Sequence, residues 1–237
     1  SLLEIAIGYV SLGLPGAARS ILAINVEEGE TPGIAVADAQ GAQQRQNLIG
    51  LGPVHRAWAA WLGNDPSSLA AGGDPAFQFP FRPETIPVLE WAMLNDGAWV
   101  WEYLLALNLW AVDRREEALS HLEALSVEPD FGPFYVARAH LAEQLRGVDP
   151  TADLRRGIVS SPDSWALHIQ LVRHLQEQER WVEALTALNV ARARFPADFN
   201  LGLFEARALI NVGRALQATE IFSDIQVLPS ENASEAH

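Results

Sequence analysis

Arg173 and Arg207 stand 34 residues apart, in two segments that share one apolar skeleton, VRHLQEQERWVEAL and ARALINVGRALQAT. Guanidiniums repeated at one register on neighbouring helices, roughly 10 Å apart, would form a ladder of forked donors suited to carboxylates. The bland alternative is local pairing, for instance Arg173 with Glu177 one helical turn on. Other chemistry-bearing residues form no recognisable set. His55, His121, His140, His168 and His174 include no HExxH pattern, and the spacing of His168 and His174 does not place both on one helical face for a shared metal. The adjacent Glu116 and Glu117 read as first-turn carboxylates complementing a helix dipole. A glycosidase pair would instead need two carboxylates facing each other across a sugar. There is no nucleophile elbow and no phosphate loop, and without cysteine there is no thiolate. No catalytic residue, cofactor or metal site is therefore assigned.

Composition narrows the classes further. The 237 residues are 49% apolar, enough to bury a substantial core, and carry a formal charge of −14 with arginine as the sole basic residue besides histidine. That balance repels phosphate backbones, and no basic stripe offsets it, so nucleic acid is excluded as a partner. No apolar run approaches twenty residues, so no membrane span is expected. Lack of cysteine fits a reducing compartment, and the cytoplasm is the expected setting. The chain opens on a helix-like LLEIAIGYVSLG with neither a basic leader nor an initiator methionine, which reads as a processed or internal start.

What must position these residues is a repeat. Five positions of a 34-residue unit are filled by Ala206, Leu209, Ala218, Phe222 and Ile225, and one unit earlier by Val172, Leu175, Ala184, Leu188 and Ala191. A further unit gives Ala106, Leu109, Ala118, Leu122 and Leu125; the N-terminus gives Ala6, Tyr9, Ala18 and Leu22, with Asn25 or Ile24 at the fifth place. The first two positions share a face of one helix and the last three a face of a second. The recurring alanine lets the helices of each antiparallel pair approach closely. Turns fall at SLGLPG, VDRRE, EQER and NVGR, and Pro129, Pro162, Pro196 and Pro229 follow the second helices at nearly constant spacing. A lone hairpin cannot cover its apolar face, so neighbours must stack.

The alanine pattern, REEAL (115–119), VEAL (182–185) and the 34-residue period resemble tetratricopeptide repeats, best over about 97–229 and more loosely in the first 26 residues. The resemblance implies an all-α fold, a right-handed superhelical stack of antiparallel helix hairpins. It also implies which first-helix positions line the concave side. Those are Ala166, Ile169, Arg173 and Gln176, then Asn200, Leu203, Arg207 and Ile210. Candidate concave-face binding residues are Arg173, Arg207, Tyr135, Gln176 and Asn211. The lysine and asparagine set of the co-chaperone carboxylate clamp is missing, so that activity is not implied. FQFPFRPETIPVLEWA (77–92) and LPSENASEAH (228–237) also look like bacterial tetratricopeptide proteins that follow a large N-terminal domain of unknown function, related to galactose-mutarotase-like supersandwich folds. That implies a carbohydrate-related parent.

The expected organisation is an N-terminal hairpin (1–26), an irregular segment in the second quarter (27–82), contiguous repeats (83–229) and a tail (230–237). Within the irregular part, 25–51 reads as a long loop with one short helix, 53–63 as a helix, and 66–71 as a short one. Residues 71–83 read as an extended connector whose Phe77, Phe79 and Phe81 plug a groove between helices of the array or, alternatively, form an arm that docks on another subunit. The segment 98–112 is apolar nearly all round, so it must be covered by that connector, another domain or another subunit. Val100, Tyr103, Leu107 and Trp110 form its candidate apolar interface. The functional expectation is a non-catalytic scaffold that binds a protein segment or companion domain. The alternative is an accessory domain completing a glycoside-active enzyme. Homo-oligomerisation is left open.

Overall fold

The structure is a computed structural model that describes residues 2–23, 52–69, 73–125 and 127–224, with side chains as far as 221. The loop expected at 25–51, the fifth-place Asn25 or Ile24, the Phe222 side chain, Ile225, Pro229 and the tail lie outside the described residues. Among those residues the chain is all-α, with twelve α-helices and two short 3-10 helices, and it divides into two compact units, Ser1–Glu128 and Pro129–His237. The expected helical-repeat class is what the structure shows.

The first unit holds α1 (Leu2–Ser11), α2 (Pro15–Leu22), α3 (Pro53–Gly63), α4 (Ile86–Asn95), α5 (Trp99–Ala111) and α6 (Arg115–Ala124). Short 3-10 turns at Pro66–Leu69 and Pro83–Thr85 join them. Helices α1 and α2 form one hairpin and α5 and α6 another; α3 packs on α2 and α4, and α4 packs on α5. The second unit is three successive hairpins: α7 (Gly132–Arg146) with α8 (Thr151–Ser160), α9 (Trp165–Glu177) with α10 (Trp181–Arg194), and α11 (Phe199–Asn211) with α12 (Ala215–Asp224). Several helices open on proline, whose fixed φ suits a first turn (Pro15, Pro53, Pro133). Asp198 caps α11, its carboxylate accepting from the Leu201 N–H at 2.9 Å.

The recurring alanines are buried: Ala18, Ala118, Ala184 and Ala218 have almost no exposure. Ala184 lies among Leu154, Leu171 and Leu175, and Ala218 among Ala206 and Leu209. Stacking is visible in the cluster of Ile169, Val172, Leu188, Ala191, Leu201 and Ala208, to which α9, α10 and α11 all contribute. Each hairpin thus borrows apolar cover from the next, with about 1.5–3 kcal/mol from each large side chain fully buried. At the N-terminus the pattern is weaker, and Tyr9 remains well exposed.

The hairpin turns share a backbone device. Gly13, Asp113, Glu179 and Gly213 occupy one position of the repeat, and all four have left-handed φ, between 56° and 79°. The next residue then bonds back five positions: Leu14 to Tyr9, Arg114 to Leu109, Arg180 to Leu175 and Arg214 to Leu209, at 2.8–2.9 Å. Arg114 and Arg180 each grip the carboxylate three residues on with a two-pronged bond, Glu117 at 2.5–2.7 Å and Glu183 at 2.8 Å.

The connector departs from expectation. It packs on the first unit, but through Pro75, Gln78 and Pro80, whereas Phe77, Phe79 and Phe81 point outward. The reason is a turn: the Gln78 N–H bonds the Pro75 carbonyl at 3.1 Å and Phe77 takes φ 60°, which breaks the alternation, so Pro75 before the turn and Pro80 after it both meet the helices. Gln78 lies against Gly52, where a Cβ would come within 2.5–2.6 Å of its amide, and Arg56 lies against Gly73 in the same way. Beyond them, Arg82 pairs with Glu4 at 2.5 Å.

Candidate functional site

In the second unit the first helices α9 and α11 touch, and they carry the two arginines at equivalent positions. Most arginines nearby are paired. Arg138 meets Asp153 at 2.6 Å, Arg155 meets Glu183 at 3.0 Å, Arg180 meets Asp149 at 2.8 Å and Arg192 meets Glu205 at 3.3 Å, while Arg194 pairs with Asp163. Arg173 and Arg207 are exposed, and neither has a carboxylate within ion-pair distance among the described residues. The expected alternative, Arg173 with Glu177, is not formed. Arg207 instead lies over the Trp181 ring, with Cζ 5.9 Å from its centroid. Arg214 also lacks a carboxylate among the described residues, since Gln217 stands where Arg114 and Arg180 have glutamate.

The remaining candidates divide by burial. Asn211 is exposed and its amide donates to the Arg207 carbonyl at 2.9 Å, fixing it beside that arginine. Gln176 is buried; its Nε2 donates to the Phe204 carbonyl at 2.7 Å, tying α9 to α11, while its Oε1 has no partner among the described residues. Tyr135 is buried on α7 beneath the Arg138 guanidinium. The structure thus brings Arg173, Arg207 and Asn211 onto accessible surface and places Tyr135 and Gln176 within the packing. Trp181 was not among the sequence candidates. Its signal was its register: it opens the second helix of one repeat, where the next repeat's arginine reaches it.

In the first unit, α5 is covered by its own neighbours. Val100 and Tyr103 are buried, and Leu107 and Trp110 are partly so. Burial pushes the Tyr103 phenol well above its usual range. Asn108 donates from Nδ2 to the Arg82 carbonyl at 3.1 Å, so the end of the connector contributes to the cover. On the other side His121 Nδ1 lies 3.3 Å from Glu102 Oε1, joining α6 to α5.

His168, His55 and His174 are held by their neighbours. His168 Nε2 lies 3.0 Å from the Pro162 carbonyl oxygen, with its ring against Phe195. His55 Nε2 lies 3.3 Å from the Leu22 carbonyl, and burial lowers its pKa. His174 sits between Glu143 and Asp149, at 3.5 and 3.3 Å. Among the described residues no group of three or more acidic or histidine side chains could hold a metal ion, and no helix is long and apolar enough to cross a membrane.

No model of a known protein family matches the chain. No curated protein matches it in sequence either. Solved structures do match. One is YrrB, described as a TPR protein with an unusual peptide-binding site: identity is 14%, TM-score 0.50, and the match covers 85% of this chain and 97% of that one. A crystal structure of MamA aligns at 12% identity and TM-score 0.47, over 62% of this chain and 88% of its own. A tetratricopeptide repeat protein from Parabacteroides merdae aligns at 14% identity and TM-score 0.43, over 94% and 76%. The likeness to YrrB shows the fold, a TPR-like stack of helix hairpins.

Proposed function

We propose that the chain is a non-catalytic scaffold whose second unit docks an extended acidic segment of a partner protein, or an acidic face of a companion domain, on Arg173 and Arg207. The observation that carries this reading is the contrast in pairing. In a chain of net charge −14, two exposed arginines at one repeat position face no carboxylate among the described residues, while Arg138, Arg155, Arg180, Arg192 and Arg194 all do. A guanidinium left without an internal anion is available to an external one, and the fork favours carboxylates over neutral groups. The Arg207 side chain is further pre-set by Trp181, which reduces the ordering cost of binding. The peptide-binding site named for YrrB is the same kind of occupant on the same kind of fold.

The wider setting belongs to the same proposal. The parent is a bacterial, carbohydrate-related protein of the cytoplasm, with a supersandwich-like companion domain preceding this chain. The second reading is an accessory role, in which the helices complete an active site built by that companion; the first unit's α5 region around Leu107 and Trp110 is then the docking face. Co-purification of this chain with the upstream-encoded domain, for wild type and for Arg173→Ala/Arg207→Ala, tests both. Loss of capture in the double variant supports the arginine pair. Undiminished capture that is lost on Leu107→Asp supports the second reading, and no capture in either removes the companion domain as the partner.

A further inference from the structure

Three phenylalanines stand out in the first unit: Phe77, Phe79 and Phe81 are 64%, 72% and 59% exposed on a segment that is otherwise well anchored. Pro75 and Pro80 are buried beneath them, Gln78 and Arg56 lock against Gly52 and Gly73, and Arg82 is held by Glu4. Phe77 even adopts φ 60°, a conformation disfavoured for a bulky L-residue. Three large aromatic side chains held out to water on a fixed segment mark a contact surface rather than a packing remnant.

The backbone specifies what covers it. In an extended segment the N–H and C=O groups of residues two apart share one edge, so Phe79 and Phe81 present theirs together. Among the described residues none of these groups has a hydrogen-bond partner. The opposite edge offers less: Pro80 has no N–H, and the Arg82 carbonyl already accepts from Thr85 N and Asn108 Nδ2, at 2.9 and 3.1 Å. Charge narrows the occupant further. Exposed Asp74 and Glu84 each stand three residues beyond the aromatic row, and Arg82 is engaged by Glu4.

We propose that this row is a second docking site, independent of the arginine pair, where an extended partner segment adds as a β-strand along the Phe79–Phe81 edge. Alternate apolar side chains of that segment lie over the Phe79 and Phe81 rings, Phe77 bounds the site from the turn that Gln78 N–H closes on the Pro75 carbonyl, and basic residues at the segment's ends face Asp74 and Glu84. A second copy of this strongly acidic chain would bring like charges to the same ends, so the occupant is a heterologous, cationic strand.

The test is selection from a random-sequence peptide display library on the whole chain, with Phe77→Ser/Phe79→Ser/Phe81→Ser as the counter-target. Because the three side chains are exposed, the variant should keep the wild-type melting temperature. Expected are peptides with apolar residues at alternate positions flanked by Lys or Arg. Their synthetic forms should bind wild type at least about tenfold more tightly than the triple variant, and N-methylation of alternate amides should abolish binding. Arg173→Ala/Arg207→Ala should bind them as wild type does, which separates this site from the one above. The proposal is overturned by selected sequences that are acidic or apolar every third or fourth residue, by N-methylated peptides that bind equally, or by failure to enrich any peptide over the counter-target. A concentration-dependent dimer lost in the triple variant would also overturn it, by assigning the row to a second copy.

Discussion

The guanidinium of Arg207 lies over the indole of Trp181, so a residue of one repeat is held by the start of the second helix of the repeat before it. Trp181 packs in turn on the buried cluster around Leu188 and Leu201. The arginine is thereby oriented by the core rather than by an opposing charge. A stacked guanidinium at such a site is worth about 0.5–1 kcal/mol. Trp181→Ala should therefore weaken acidic-peptide binding by roughly two- to fivefold beyond any change in the folded fraction. Titration well below the melting temperature checks this, and affinity equal to wild type would disconnect the stacking from binding.

The close helix approach at Ala184 should not tolerate bulk. Surrounded by Leu154, Leu171 and Leu175, it has no room for a larger side chain without displacing the hairpin. Ala184→Leu should cost about 1–3 kcal/mol. A chemical denaturation midpoint unchanged by this substitution would contradict the repeat alignment.

The left-handed turn position separates backbone strain from packing. A Cβ built on Gly213 meets nothing within 4 Å, yet its φ is 79°. Gly213→Ala should therefore destabilise by about 1–2 kcal/mol through conformation alone. At the same place in the preceding repeat Glu179 already bears that strain at φ 56°, and Glu179→Gly should stabilise by about 0.5 kcal/mol. Paired thermal melts check the opposite signs.

Much of this was legible from the sequence. The buried alanines, the turns and the helix at 99–111 follow from apolar period and proline placement. The α7–α8 hairpin was less clear because it solves the crossing differently. Leu154 takes the place that Ala184 holds in the next repeat, and close approach comes instead from Gly157, where an added Cβ would lie 3.3 Å from the Gly132 carbonyl. The left-handed turn position could not be read from glycine, since Asp113 and Glu179 fill it twice. Alternation expects the three phenylalanines on one side of an extended segment, but Phe77 lies in a turn at φ 60°, closed by the Gln78 N–H on the Pro75 carbonyl, which a period of two does not reveal. The pairing state of Arg173 and Arg207 depends on which carboxylates the stack brings near, information that spacing alone does not contain.

An acid limit follows from Asp149. Partial burial works against its charge, but hydrogen bonds from the Thr151 hydroxyl and N–H and from the Arg180 guanidinium outweigh this and draw it from 3.8 down to about 2. Because the folded value lies below the ordinary one, the stabilisation is complete above about pH 4 and is lost as pH falls toward 2. Asp149 is more than half exposed, so screening keeps the effect to about 1 kcal/mol or less. Asp149→Asn should flatten the stability profile between pH 4 and 2; an unchanged profile would show that other carboxylates govern the acid limb.

The most direct measurement is calorimetric titration of a glutamate-rich, extended peptide into wild type and into Arg173→Ala/Arg207→Ala, at about 20 mM and about 150 mM salt, across which the Debye length shrinks to roughly 8 Å. Binding by wild type should weaken as salt rises, and the double variant should bind at least about tenfold more weakly at low salt. Equal affinity of the two proteins, or wild-type binding indifferent to salt, would contradict docking on the arginine pair.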